Sequence, residues 1–188
     1  MKTIKQSVEA QIIVKKSVFI AHLCPFAEFK SKLAWLKEKH PKATHFVYAF
    51  RQLNENGQIV EDKSDDGEPK GTSALPCLNI LRSFELVNVC VIVVRYFGGI
   101  KLGTGGLARA YSTALNAALN QVALMECKKS LNLSLNLSLY GRVKHYLVKN
   151  ELEFETNFDD KQVFLCVKVN ENEEKALLNF ALSLGISP

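Results

Sequence analysis

From Arg95 to Arg109 the chain reads RYFGGIKLGTGGLAR. Gly98, Gly99, Gly103, Gly105 and Gly106 are five of its ten glycines, and Arg95, Lys101 and Arg109 are interleaved with them. Glycine lets backbone N–H groups come close to a ligand, and unpaired donors at the positive end of a following helix attract anions. The same glycines also serve φ > 0 turns and close packing of a helix on a sheet, so a site and a structural loop both fit. A phosphate loop is excluded, because no lysine-serine step closes the motif. The spacing Gly103-x-Gly105-x-x-Ala108 does not make a dinucleotide fingerprint, because Gly98 to Leu102 separate it from the preceding strand.

A second stretch, Asp65-Asp66-Gly67-Glu68-Pro69-Lys70-Gly71-Thr72-Ser73, carries three carboxylates and no periodicity, so it reads as a loop. Asp65, Asp66 and Glu68 suit a divalent metal or acid–base chemistry, since clustered carboxylates raise one another's pKa. A solvated turn suits them as well, and so does an ion-pair network with Arg95, Lys101 or Arg109. His45 has the chemistry of a general base, although a lone histidine on a strand also serves as a hydrogen-bonded structural residue. Gly-x-Ser-x-Gly, His-Glu-x-x-His and Cys-x-x-Cys are all missing from the sequence. No catalytic residue, metal ligand or cofactor is therefore assigned.

These residues need elements to hold them. Val89–Val94 is an unbroken apolar run rich in β-branched residues, the pattern of a buried strand. Leu107, Tyr111, Leu115, Ala118 and Val122 recur at helical spacing, which predicts a helix from Gly106 to about Met125. Upstream, Val8–Val14 and Ser17–Leu23 read as strands joined at Lys15-Lys16, and Phe26–His40 as a helix stopped by Pro41. Thr44–Arg51 alternates, with Phe46, Tyr48 and Phe50 on one side and His45, Val47, Ala49 and Arg51 on the less apolar other. Asn54–Gly57 turns it into a return strand over Gln58–Glu61. A helix capped by Thr72 or Ser73 runs to about Phe84. Downstream, LNLSLNLSL predicts a half-buried strand over Leu131–Leu139. A helix over Tyr140–Lys149, strands over Phe154–Phe158 and Gln162–Val169, and a helix over Glu171–Leu184 follow.

The 188 residues, 47% hydrophobic and 23% charged, have the balance of a folded water-soluble protein with a real core. The organisation expected is α+β in two domains, 1–126 and 127–188. The first holds 16 Lys+Arg against 11 Asp+Glu and so carries the whole net charge of +5. Five scattered cysteines point to reduced thiols in the cytoplasm, and no signal core or bilayer-length apolar run is present.

Taken together, RYFGGIKLGTGGLARAY, DDGEPKGTS, KATHFVYAFR and SVFIAHLCPF resemble the IMPACT family, whose bacterial members are the YigZ-like proteins. The resemblance covers most of residues 15–125. It implies an N-terminal domain similar to a small-subunit ribosomal protein and to domain IV of elongation factor G, and a C-terminal ferredoxin-like domain. It also implies a non-enzymatic, translation-associated protein that binds RNA, the ribosome or a translation regulator. Eukaryotic members act on a starvation kinase through an additional N-terminal domain; the residues before Val8 leave no room for one, so that partner is not expected. The chain departs from the family's pattern at Ala74, commonly glycine, and at Phe46-Val47, often Asn-Cys.

The expected contacts to phosphate are Arg95, Lys101 and Arg109, with Lys70 and Arg51, on a backbone shaped by the five glycines and beside His45. No DNA sequence specificity and no membrane partner are expected, and the C-terminal domain is a candidate for docking another protein. The alternative is an enzyme or binding protein for a phosphate-bearing or peptide-like small molecule, with Asp65, Asp66 and Glu68 opposite the cationic loop.

Overall fold

The computed structural model describes residues 1–186. The chain divides into two compact units, Met1–Met125 and Glu126–Pro188. In chain order the first contains β1 (Lys2–Thr3), β2 (Val8–Val14), β3 (Ser17–Pro25), a 3-10 turn over Phe26–Glu28, α1 (Phe29–Lys39), β4 (His45–Leu53), β5 (Ile59–Ser64), α2 (Ala74–Ser83), β6 (Val89–Tyr96) and α3 (Thr104–Leu119). The two-residue strand β7 (Met125–Glu126) lies at the boundary. Beyond it come β8 (Lys129–Asn136), α4 (Leu137–Lys149), β9 (Glu153–Phe158), β10 (Gln162–Val169) and α5 (Glu171–Ser183). The architecture is α+β, and no described helix is long and apolar enough to cross a membrane.

The first unit is built on an antiparallel sheet of order β2-β3-β6-β4-β5, with helices on both faces. This explains why β6 is apolar on both sides. Val89, Val91 and Val93 join the core under α2 and α3, while Cys90, Ile92 and Val94 join the core under α1. β4 obeys the same period. Phe46, Tyr48 and Phe50 go to the α1 side, and Val47 and Ala49 go to the α2/α3 side. The side of β4 that looks less apolar in sequence is thus the one over the larger core. Its small residues leave room for two helices. The tight β2–β3 connection is made by Lys15 and Lys16, both at positive φ, which matches the strand twist of a two-residue hairpin.

The second unit has strand order β8-β10-β9, fully antiparallel, with Leu133, Leu135, Val163, Leu165 and Val167 turned toward Val143, Leu147 and Leu177 of its helices. α5 opens on a complete capping box: the Asn170 side chain accepts from the N–H groups of Asn172 and Glu173, and Glu173 accepts from the Asn170 N–H.

Several element ends differ from the sequence pattern, and three differences have a plain physical cause. α3 starts at Thr104 because Gly103, at φ +73°, turns the chain into it, and it ends at Leu119, with Val122 packing from the following turn. β8 ends at Asn136 although the leucine alternation continues. Leu137 already belongs to α4 and is half exposed, so the last two leucines of that pattern sit on a helix. α2 is capped neither by Thr72 nor by Ser73; a carboxylate from the preceding loop does it, as described next.

Candidate functional site

His45 and Arg95 are direct partners in the β4–β6 register, and the period of two places both on the α2/α3 side at the end of the sheet. Arg95 is buried, and its guanidinium forms an ion pair with Glu68, which is also buried. The same carboxylate oxygen, Oε1, accepts a hydrogen bond of 2.8 Å from the hydroxyl of Tyr111 on α3. Burial, then the neighbouring Glu68 charge, pushes the Tyr111 phenol well above its ordinary range, so it stays a protonated donor. The helix, the central strand and the acidic loop therefore meet at one oxygen atom. An ion pair removed from water persists only where such added hydrogen bonds support it.

The other two carboxylates of the loop have separate tasks. Asp65 accepts N–H bonds from Gly71 (2.7 Å), Ser73 (3.1 Å) and Ala74 (2.8 Å), so it caps α2 from outside the helix and favourably meets its positive end. Asp66, held at φ +44°, accepts the Phe46 N–H through Oδ2 at 2.6 Å, and its carbonyl oxygen lies 2.7 Å from His45 Nδ1. A carbonyl only accepts, so His45 Nδ1 donates, and the other ring nitrogen, Nε2, is left to the cavity side. That atom lies 3.9 Å from Glu68 Oε2. Among the described residues no group of three or more histidine, cysteine, aspartate or glutamate side chains has the geometry for a metal ion.

The glycine motif also divides its work. A Cβ on Gly98 would stand 2.1 Å from the Lys16 carbonyl carbon, so this glycine exists for backbone-on-backbone contact with the β2–β3 turn. Its N–H donates to Ser17 Oγ at 3.0 Å. Gly103 forms the N-cap of α3 and has no side chain to satisfy the first-turn N–H groups. Gly105 has only the end of Arg109 near its Cβ position, at 3.5 Å.

Between these parts lies a cavity of about 440 Å3, lined by Thr44, His45, Glu68, Pro69, Arg95, Phe97, Lys101, Leu102, Gly103, Thr104 and Leu107. Its walls combine a buried ion pair, an exposed lysine, the uncapped start of a sixteen-residue helix and the half-exposed ring of Phe97. Arg109 faces a separate depression with Lys15, Leu102 and Gly106. Lys70, Lys101 and Arg109 are exposed and make no ion pair with the described residues. Arg51 belongs elsewhere. It donates to the Leu81 and Leu86 carbonyls at 3.3 and 2.9 Å and to Glu61 at 2.8 Å, tying β4 to the end of α2.

Of the residues singled out in the sequence, the cavity gathers His45, Glu68, Arg95, Lys101 and Gly103. Tyr111 escapes sequence reading because it sits at a helical core spacing, where its ring serves as an apolar residue and its hydroxyl is silent. Phe97 and Thr104 lie inside the motif, yet glycines and cations draw the attention there.

A family model described as the Impact N-terminal domain matches residues 15–119. The IMPACT family member YvyE of Bacillus subtilis is 34% identical over 176 residues, covering 85% of this chain and 80% of that protein. The IMPACT family member YigZ of Escherichia coli is 38% identical over 112 residues, 58% of this chain and 55% of that protein. Among solved structures, the crystal structure of a hypothetical protein superposes with a TM-score of 0.63 at 26% identity, covering 96% of this chain and 90% of that one.

Proposed function

We propose that this chain, which belongs to the IMPACT family, is a translation-associated binding protein of the cytoplasm whose first unit takes hold of RNA phosphate at the glycine loop. One observation carries the reading. The N-terminus of α3 has no side-chain cap, opens on a cavity, and is flanked by cations without acidic partners among the described residues. A helix start of that kind attracts anions, and Lys15, Lys16, Lys101 and Arg109 extend the positive surface around it. The translation context comes from the family that the sequence resembles. That resemblance also implies the elongation-factor-like and ferredoxin-like fold names, and the β8-α4-β9-β10-α5 order with strands arranged β8-β10-β9 is compatible with the latter.

The test is RNA binding as a function of salt, for the wild-type chain and for the Lys101→Ala/Arg109→Ala variant. Neutralised phosphates release counterions, so affinity falls steeply as salt rises, and the slope flattens by about two charges in the variant. Binding that ignores salt, or no binding, overturns the proposal. A second reading, a small-molecule site, is favoured by the enclosed His45–Glu68 pair, since a solvent-facing RNA groove has no need of a buried carboxylate.

A further inference from the structure

The glycine loop accounts for an anion, but not for the chemistry at the back of the cavity. Glu68 is 8% exposed as a residue, and its two oxygens are treated unequally. Oε1 takes both the Arg95 and the Tyr111 hydrogen bonds; Oε2 takes none among the described residues and has His45 Nε2 at 3.9 Å. His45 Nδ1 is committed as donor to the Asp66 carbonyl, which leaves Nε2 as the ring atom nearest Glu68. Glu68 Oε2 thus stands at the wall of the cavity without a hydrogen bond from the described residues. A carboxylate oxygen with no protein donor, at the wall of a cavity, favours a ligand bearing an O–H or N–H at that point, because hydrogen bonds to a charged group are the stronger kind.

The remaining walls say what else that ligand carries. Lys101 and the Gly103–Thr104 start of α3 prefer negative charge. Phe97 is 47% exposed and offers a ring face, with Leu102, Leu107 and Pro69 adding apolar surface. The ligand is therefore anionic at one end, a hydroxyl or amine donor in the middle, and flat or apolar beside Phe97.

We propose that the cavity holds one ribonucleotide: its phosphate at the start of α3 and Lys101, its ribose 2′-hydroxyl donating to Glu68 Oε2 beside His45, and its base against Phe97. This deepens the phosphate-binding reading above and rests on it for the choice of a nucleotide over other anionic donors. The same chemistry is present in a free nucleoside monophosphate and in an unpaired residue of single-stranded RNA. The sugar hydroxyl is the group by which a protein distinguishes RNA from DNA, and base stacking on an aromatic ring is indifferent to sequence.

The experiment uses the full chain and five probes: adenosine 5′-monophosphate, 2′-deoxyadenosine 5′-monophosphate, inorganic phosphate, a short single-stranded oligoribonucleotide and its deoxy counterpart. Binding is followed by titration calorimetry and by perturbed NMR signals of His45 and Phe97. The ribonucleotide binds about tenfold or more tightly than its deoxy analogue, the factor expected of one hydrogen bond to a charged group. Phe97→Ser, at an exposed position that leaves the core intact, weakens both by fivefold or more. Equal affinity for the two sugars, phosphate binding as tightly as the nucleotide, or signals unmoved at His45 and Phe97 overturn the proposal. If oligoribonucleotide binding remains steep in salt under those outcomes, the RNA-binding function stands and only the nucleotide pocket falls. If the mononucleotide binds with sugar preference but the oligomers do not, the pocket stands as a free-nucleotide site and the RNA function falls. Oligomers that bind with the same ribose preference as the mononucleotide assign the pocket to an RNA residue.

Discussion

The two faces of the five-stranded sheet are made from the same alternating strands and do opposite things with polarity. On the α2/α3 face the charged residues of the strand ends converge: Arg95 pairs with Glu68, Tyr111 reaches in from α3, and a cavity remains beside them. On the α1 face the core is aromatic. Phe26, Phe29, Tyr48 and Phe50 meet with ring centroids 4.7 to 6.3 Å apart, and the polar groups there, His22, Cys24 and Cys90, are enclosed. His22 Nε2 has no hydrogen-bond partner among the described residues, and Cys24 Sγ lies 3.1 Å from Cys90 Sγ across paired strand positions. One face spends its polar groups on a compensated, open-ended network. The other keeps a closed, aromatic interior, and that contrast separates the face that opens on a cavity from the face packed with rings.

The largest effect that tests the contrast comes from breaking the charge network. Glu68→Ala leaves a buried arginine without its partner and is expected to cost about 3–5 kcal/mol, read by urea denaturation. Arg95→Met/Glu68→Leu, which removes both charges, restores most of that stability while abolishing the ligand site. A double variant as unstable as the single one would mean that the pair is not the reason for the loss. Leu36→Ala, on the α1 face, is expected to cost about 2–5 kcal/mol through its cavity while leaving nucleotide affinity unchanged.

Acid separates the faces next. Burial, reinforced by Lys32, His40 and Lys39, lowers the His22 pKa from 6.5 to about 4, with a Glu9 oxygen 3.4 Å from Nδ1. The folded protein then binds fewer protons than the unfolded chain between about pH 6.5 and 4, so stability falls as pH drops through that window. The loss from His22 approaches about 3 kcal/mol below it. His40, also lowered by burial and by Lys39, adds in the same direction. His22→Leu should flatten this part of the stability–pH curve, and an unchanged curve would assign the acid sensitivity elsewhere.

Glycine positions give a smaller and more local comparison. Gly98→Ala is expected to destabilise by about 3 kcal/mol, because the added methyl meets backbone at 2.1 Å. Gly105→Ala meets only the end of the Arg109 side chain and is expected to be neutral or stabilising by up to about 1 kcal/mol. Equal melting temperatures for the two variants would contradict the division of labour in the motif.

Periodicity identifies the main elements, while the two-residue strands β1 and β7 carry no pattern to read. β-branched apolar runs, alternating strands, Pro41 and the helical spacing of Leu107, Tyr111 and Leu115 state their own structure, because burial acts on every second or every third to fourth residue. Ends were less legible. LNLSLNLSL runs on through Leu137 and Leu139, while the chain must leave the sheet at Asn136 for α4 to fold over its leucine face. The candidate site was legible as a composition, five glycines between cations and three carboxylates in one loop, but not as an arrangement. Asp65, Asp66 and Glu68 are chemically alike in sequence. Only the tertiary structure made one a helix cap, one a clasp on His45 and Phe46, and one a buried partner of Arg95 and Tyr111. Likewise Arg51 and Arg95 differ by nothing but their neighbours, since carbonyls at the end of α2 occupy one and a loop carboxylate the other. Residue type sets which bonds a side chain can make, and periodicity sets the face on which it makes them. Which partner it finds depends on strand register and on loops brought together from distant parts of the chain, and those are long-range properties that no local pattern encodes.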